Sequence, residues 1–402
     1  MDGFKSVNDQ YGHTVGDQFL IALATQFKAM MREGDTFARM GGDEFVAVFV
    51  DLQDKHDSVT LITRLLDVAS RQVQLGDLKL NVSASVGVSF YPQPDEADAD
   101  QLLRQADQAM YHAKLAGKNR YHLFDAEHDR NLRLRNETVE RVRQALANQE
   151  FVLHYQPQVN LRAGKVIGVE ALIRWQHPEK GLLPPGRFLP DIEGHEVSLA
   201  LGEWVLETAL QQVENWADAG LDLPVCVNVS AYQLQQPDFS ARLATRLHSH
   251  PKVPRHHLEL EVLETTALDE LDSVADVIRE CAAMGVGFAL DDFGTGYSSL
   301  TYLKRLPAQV LKVDQSFVRD MLDDPEDLAI VEGVLGLARA FGRRVVAEGA
   351  ETPAHCRLLV QIGCDLAQGY GIARPMPSAE VHTWVANWPP NPDWLASPHV
   401  QL

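Results

Sequence analysis

Two aspartates, Asp291 and Asp292, close the apolar run from Val286 to Leu290, and the glycine-rich stretch FGTGYSSL follows them. Adjacent carboxylates repel each other, and taking either out of water is costly unless a cation or hydrogen bonds compensate. A bound metal ion would do so. The other reading has Asp292 capping the turn while Asp291 faces water, because Asp is common at such junctions. The doublet alone fits both readings equally.

Related residues recur through the second half of the chain. Glu170, Asn228, Glu261, Lys312, Glu348 and Gln368 each stand near the end of a short strand-like run. The runs are FVLHYQPQV, VIGVEALIRW, LPVCVNVS, LELEV, VGFAL, QVLKVD, RRVVAEG and the weaker CDLAQGY, separated mostly by helical patterns. Eight such signals match a β/α barrel better than an open sheet. In a barrel of this type the strand C-termini form one mouth, so residues far apart in sequence converge on one ring. Caps of individual loops would explain one or two of these polar residues and the almost complete set poorly. Carboxylate and amide oxygens suit magnesium or manganese rather than a soft metal.

The 402 residues, 45% hydrophobic, can bury a large core and correspond to two or three domains. A formal net charge of −20 argues against general affinity for a nucleic-acid polymer or an anionic membrane. A phosphorylated substrate would need local cations to offset that field. Cys226, Cys281, Cys356 and Cys364 form no Cys-x-x-Cys pair and read as reduced. No apolar run reaches the length of a membrane span, and MDGFKSVND lacks the pattern of a signal peptide. A cytoplasmic protein is expected, membrane-associated only if a membrane segment lies upstream of Met1.

Residues 126–150 are charge-dense, with Leu132, Val139, Val142 and Leu146 spaced as on a solvated connecting helix. The expected organisation is an α/β chain with a compact domain over 1–126, a connecting helix over 127–148, a barrel over 149–391 and a tail over 392–402. In the first domain, helix GDQFLIALATQFKAMM precedes the runs DTFARM and EFVAVFV, which Gly41 and Gly42 join as a tight hairpin. A helix near Ser58 to Val73, a strand over LKLNVSASVGVSFY and a helix over ADQLLRQADQAMYHAKLAG follow.

From roughly Glu140 to Trp388 the chain resembles the EAL family of cyclic di-GMP phosphodiesterases. A bare Glu-Ala-Leu is common; the specific signal is EALIRW together with YQPQV, VNVS, LELEVLET, DDFGTGYSSL, LKVD, VVAEGAET and QGYGIARPMP in family order. The resemblance implies hydrolysis of one phosphodiester bond of cyclic di-GMP to linear pGpG with two divalent ions, Mg2+ or Mn2+. Its metal ligands correspond to Glu170, Asn228, Glu261 and Asp291, with Asp292 and Glu348 at the second ion. Paired metals activate water, orient the phosphate and stabilise charge on attacking and leaving oxygens. Lys312 corresponds to a catalytic residue that holds the water or the phosphate, the alternative being a salt bridge to a neighbouring acid. Glu348 is a candidate base. Arg174 corresponds to a phosphate contact, the alternative being a surface ion pair. Gln156 and Gln368 correspond to substrate contacts, the alternative being that they satisfy buried backbone groups. Glu264 corresponds to the anchor of the loop DDFGTGYSS, which is either a mobile element or a rigid turn. A homodimer through this domain is implied as well. One departure is IEGHEVS, residues 192–198, where the family carries an Ala-Glu-Glu-x-Gly-Leu-Ile type of sequence; His195 within it is read as structural or exposed.

The first domain resembles the GGDEF family, which makes cyclic di-GMP from GTP. GGDEF itself stands at residues 41–45, supported by DGFKSVNDQYGHTVGDQFL and YHAKLAGKNR. Gly41 and Gly42 would let the backbone approach a nucleotide, and Asp43, with Glu44 beside it, would supply a metal-binding carboxylate. Asn8 and Asp17 correspond to guanine contacts, and Lys114 and Lys118 to phosphate contacts, the alternative for the lysines being a solvated helix end. Arg32 and Asp35 fit an inhibitory cyclic di-GMP site or a turn with a surface ion pair. The family pattern's leading helix and first strand, with its first metal-binding aspartate, are not in these residues, so cyclase activity is not expected of them; a longer chain could restore it. The leading expectation is a phosphodiesterase with a regulatory GGDEF domain. A non-catalytic cyclic di-GMP receptor and a dimerising scaffold are the competing classes, and the complete polar ring favours the enzyme.

Overall fold

The computed structural model describes residues 1–52, 55–93, 96–264, 271–296 and 300–388. The expected tail over 392–402 and residues 297–299 of the glycine-rich loop lie outside them. The chain divides into two compact units, Met1–Arg133 and Leu134–Leu402, within the helix Ala126–Ala147.

In the first unit, helix His13–Met30 buries Phe19, Leu20, Leu23 and Phe27, a spacing that places them on one face. They face a hairpin of β1 (Thr36–Gly41) and β2 (Glu44–Val48), where Phe27, Phe37 and Phe45 cluster. Gly42 takes φ +52 at the turn, the left-handed region that favours glycine. The expected single strand over residues 78–91 is two elements. β4 (Leu78–Leu80) pairs back on β3 (Val73–Leu75), whereas β5 (Ser85–Val88) runs parallel to β6 (Arg120–Leu123). The chain changes partners between them, where Ser83 bridges to Asp2. Helix Ala99–Leu115, capped by the Asp98 carboxylate on the Gln101 amide, lies against β5, and a Cβ on Gly87 would fall 1.8 Å from the Ala106 carbonyl oxygen.

The second unit is a closed barrel of β7 (Phe151–Asn160), β8 (Lys165–His177), β10 (Val225–Asn228), β11 (Leu258–Leu263), β12 (Gly287–Phe293), β13 (Val310–Val313), β14 (Arg344–Ala347) and β15 (Leu366–Ala367). The short β9 (Gly181–Leu183) and β16 (Met376–Pro377) are added outside it. Seven strands are parallel; β7 runs antiparallel to both neighbours, β8 and β15. Only residues 161–164 join β7 to β8, too few for the crossover a parallel pair requires.

Strand alternation then separates two environments. Val225, Val227, Leu258, Leu260, Phe288, Leu311 and Val313 pack in the large core, with helix Glu196–Asp218 contributing Leu201, Val205, Ala209, Val213 and Trp216. Ala289, Val310 and Val346, with Leu366, form a separate small apolar cluster. Two residues beyond each of them stand Asp291, Lys312, Glu348 and Gln368, on the same face one level nearer the mouth. The apolar plug is therefore the floor of a polar layer.

Candidate functional site

Lys312 is the centre of that layer and is 1% exposed. Its Nζ lies 2.6 Å from Glu348 Oε1, 2.8 Å from Glu261 Oε2, 3.3 Å from Asp291 Oδ1 and 3.5 Å from Glu170 Oε2. An amide ladder continues from Glu170. Asn228 Nδ2 donates to its Oε1 at 2.7 Å, and Gln368 Nε2 donates to its Oε2 at 2.6 Å. Gln368 Nε2 also reaches Gln156 Oε1 at 3.0 Å, while Gln158 Nε2 donates to Gln368 Oε1 at 3.0 Å. The structure thus brings Gln156, Glu170, Asn228, Glu261, Asp291, Lys312, Glu348 and Gln368 into one connected cluster. Glu170 differs from the others in place. It is mid-strand in the 13-residue β8, level with Cys226 of β10, because β8 continues past the mouth to pair with β7 and β9.

Asp292 Oδ and Glu348 Oε belong with Asp291 to a set of carboxylate oxygens within 4.8 Å of one another. Asp292 takes φ +53, a left-handed conformation that Asp tolerates better than most residues, and its amide donates to Asp291 Oδ1 at 3.1 Å. Arg174 is at the rim, half-buried, with Nη1 donating to the Ile173 carbonyl at 2.8 Å. Glu264 is buried, and its Oε2 accepts the Gly294 amide at 2.9 Å at the start of the glycine-rich loop.

Burial opposes charge on Lys312, but Glu170, Glu261, Glu348 and Asp291 outweigh it and hold the ammonium well above its ordinary pKa. Burial also pushes the acids up. Lys312 and the amides of Gln368 and Asn228 reverse this for Glu170, which is held below the carboxylate range. Glu261 stays well above that range through burial and the neighbouring Glu170 charge. Burial, with the charges of Asp291 and Glu170, lifts Glu348 to about 8 against the opposing pull of Lys312; burial, Asp291 and Asp314 lift Asp292 to about 7. One cation therefore does not balance Glu170, Glu261, Asp291, Asp292 and Glu348. Glu261 Oε1 is buried with no hydrogen-bond partner among the described residues. A hard, oxygen-rich, under-neutralised donor set of this kind could hold divalent metal. Cys226, Glu259 and Glu261 also approach one another. There the Cys226 Sγ already donates to Gln158 Oε1 and Glu259 Oε1, each at 3.5 Å, and burial raises the thiol far above its ordinary pKa.

Two further residues of the layer escaped the sequence reading, Gln158 and Asp314. Each stands two residues from a residue that was singled out, Gln156 and Lys312, so strand periodicity was the available signal. Asp314 caps helix Gln315–Asp320 through the Ser316 amide. His195 is a helix cap too, its Nδ1 accepting the Val197 amide at 3.2 Å.

In the first unit, Asn8 packs so closely on Gly16 that a Cβ there would lie 1.9 Å from Asn8 Oδ1. Asp17 is exposed on its helix, Gly41 and Gly42 form the hairpin turn, and Asp43 Oδ2 lies 3.0 Å from the Met1 amino group. Glu44 opens β2 and is exposed; Lys114 is in the last turn of its helix and Lys118 is exposed just beyond. Asp35 accepts the backbone amides of Arg32 at 2.9 Å and Val50 at 3.4 Å, and the Arg32 side chain is exposed.

A family model described as EAL domain matches residues 139–375, and one described as diguanylate cyclase, GGDEF domain, matches residues 1–120. A Pseudomonas aeruginosa protein named bifunctional diguanylate cyclase/cyclic di-GMP phosphodiesterase MucR is 42% identical over 96% of this chain and 56% of its own. Cyclic di-GMP phosphodiesterase NbdA of the same organism is 36% identical over 96% of this chain and 49% of its own. The chain thus spans about half the length of these curated relatives. Among solved structures, the PaMucR phosphodiesterase in complex with c-di-GMP is 43% identical, with TM-score 0.59 over 61% of this chain and 99% of that one. The EAL enzyme Bd1971, bound to cAMP and cyclic di-GMP, is 29% identical, with TM-score 0.62 over 72% and 76%. No helix among the described residues is long and apolar enough to cross a membrane.

Proposed function

The chain belongs to the EAL family, with a GGDEF domain preceding the EAL domain, and on that premise we propose that its barrel hydrolyses cyclic di-GMP to linear pGpG. The observation that supports this most is the convergence of Glu170, Glu261, Asp291 and Glu348 on Lys312, with Glu261 Oε1 without a hydrogen-bond partner among the described residues.

Two divalent ions, magnesium or manganese, would be held by Glu170, Asn228, Glu261 and Asp291, with Asp292 and Glu348 completing the second position. When bound, such ions supply charge stabilisation and water activation for phosphodiester attack. The chain's own groups divide the remaining work. Lys312 keeps its proton and presents a fixed positive charge to the attacking oxygen or the phosphate, without reorganisation at the moment of reaction. Glu348, in contact with Lys312 through Oε1, would accept a proton from the attacking water where a bound cation offsets the burial that raises its pKa and restores its carboxylate form. Gln368 and Asn228 hold both oxygens of Glu170 in place, so that a ligand atom does not drift on metal exchange. Arg174, half-buried with Nη1 on the Ile173 carbonyl, would use its remaining donors for a phosphate oxygen. Gln156, in contact with both Gln368 and the Ala373 carbonyl, fixes the wall against which the nucleotide rests.

A homodimer through the EAL domain and GTP binding at the GGDEF domain belong to the same proposal. The deciding assay incubates the full chain with cyclic di-GMP in Mg2+ or Mn2+ and follows pGpG, beside Glu170→Gln. Metal-dependent pGpG from the wild type, reduced at least about a hundredfold in the variant as expected for loss of a metal ligand, supports it. Binding without metal-dependent cleavage would make the barrel a receptor, and neither would make it a scaffold.

A further inference from the structure

Gln158 stands on β7 opposite Gly168, one level further from the mouth than Gln156, which is paired with Glu170. Both ends of its side-chain amide are engaged. Nε2 donates to Gln368 Oε1 at 3.0 Å, and Oε1 accepts from Cys226 Sγ at 3.5 Å. Gln368 in turn donates from Nε2 to Glu170 Oε2 at 2.6 Å and to Gln156 Oε1 at 3.0 Å. Gln156 is oriented by the Ala373 carbonyl, which accepts its Nε2 at 3.0 Å. Gln156, Gln158, Gln368 and Glu170 are all buried, so a broken contact among them leaves a polar group unpaired away from water.

This chain of amides has one direction that satisfies all its members. A carboxylate and a backbone carbonyl only accept, so Gln368 must turn its amino group to Glu170, and Gln156 must turn its own to Ala373. A flipped Gln368 would set Oε1 against Glu170 Oε2 and Gln156 Oε1, and Nε2 against Gln158 Nε2. The observed orientation leaves Gln368 Oε1 on the far side from Glu170, where Gln158 Nε2 is the donor that meets it. Resting on the metal-dependent phosphodiesterase reading, we propose that Gln158 is a positioning residue, which fixes the Gln368 amide and through it the Glu170 oxygen offered to a divalent cation. The other Glu170 oxygen rests on Asn228, so loss of Gln158 loosens the ligand at one oxygen and leaves it held at the other. Hydrogen bonds that orient a ligand carboxylate set how tightly it holds the metal. Gln158 reaches Glu170 through Gln368, so its effect falls on cation affinity and fades once the cation is saturating.

The test is the Mn2+ affinity of the full chain by electron paramagnetic resonance, with pGpG formation followed as Mn2+ is raised. Gln158→Met, which keeps the length and removes the donor, weakens Mn2+ binding roughly tenfold, the lower part of the range for losing a group that orients a metal ligand, and its kcat returns to near wild type at saturating Mn2+. Gln158→Asn, which keeps the amide but draws it back along the side chain, gives a smaller loss of the same sign. In Gln368→Met the amide that Gln158 orients is gone, so adding Gln158→Met causes no further loss of affinity. Unchanged Mn2+ affinity in Gln158→Met and Gln158→Asn, or losses that multiply in the double variant, overturns the positioning role. A lowered Tm in EDTA with Mn2+ affinity intact makes Gln158 a packing residue only and overturns it too. A wild type that binds Mn2+ but forms no pGpG refutes the phosphodiesterase reading alone, and the affinity series still decides the role of Gln158. A wild type that binds no Mn2+ overturns both.

Discussion

Replacing Lys312 by Met removes the one ammonium from among four carboxylates and keeps a side chain of similar length. At the separations of 2.6 to 3.5 Å, each ion pair is worth roughly 5–6 kcal/mol of gross attraction at the effective dielectric of a protein. Desolvation already consumed most of that in the wild type, and stranding the partners of a buried pair costs about 3–5 kcal/mol net. For a unit of this size that corresponds to a fall in Tm of roughly 6–20 °C. The loss should depend on pH. Burial and mutual repulsion raise Glu261, Asp291 and Glu348 above their unfolded values, and without Lys312 they rise further. Acids of raised pKa contribute stability while protonated, at low pH, and lose it as pH climbs through the folded value. The deficit of Lys312→Met is therefore already present at pH 6 through Glu170, which loses the charge that holds its pKa down, and grows towards pH 9 as the other acids ionise. All six tryptophans, Trp175, Trp204, Trp216, Trp384, Trp388 and Trp394, are in the second unit, so their fluorescence reports its melting without the first. In EDTA at pH 9 the variant melts well below wild type, and saturating Mg2+ raises the melting temperature of both because a bound ligand stabilises by mass action. Equal melting of the two proteins at pH 9 in EDTA would refute the reasoning.

Glu150 accepts from Arg141 at 2.7 Å, Trp175 Nε1 at 2.9 Å and Asn148 at 3.2 Å, and chiefly the Arg141 bond holds its pKa down at about 2. Its contribution is complete above the ordinary 4.5 and disappears as pH falls towards 2, so the gap in urea midpoint between wild type and Glu150→Gln should shrink from pH 7 to pH 3. Gly369→Ala drives a Cβ into the Ala350 backbone and should destabilise the second unit by about 1–3 kcal/mol while lowering activity through Gln368, as urea melts and initial rates would show. Asp98→Ala removes a helix cap and should cost about 1 kcal/mol in the first unit, visible as earlier loss of helical circular dichroism with the tryptophan transition unmoved.

Much of the barrel was legible because its strands are short β-branched runs between helical patterns, and because a period of two puts the second residue after an apolar floor position on the same face. Ala289 to Asp291, Val310 to Lys312 and Val346 to Glu348 all follow that rule. What the pattern does not carry is the identity of a strand's partner. The reversal of β7 depends on a four-residue connection, and the division of residues 78–91 depends on β3 and β6 competing for adjacent stretches. The same limit hid Gln158, whose partner Gln368 is 210 residues away.

The claim that these acids form a cage for divalent cations is tested most directly by counting Mn2+ bound to the protein by electron paramagnetic resonance, in wild type, Glu261→Gln and Asp291→Asn. The account predicts two ions on the wild-type chain and weaker or fewer in each variant, with cyclic di-GMP hydrolysis lost in parallel. Identical Mn2+ binding in all three proteins would contradict it.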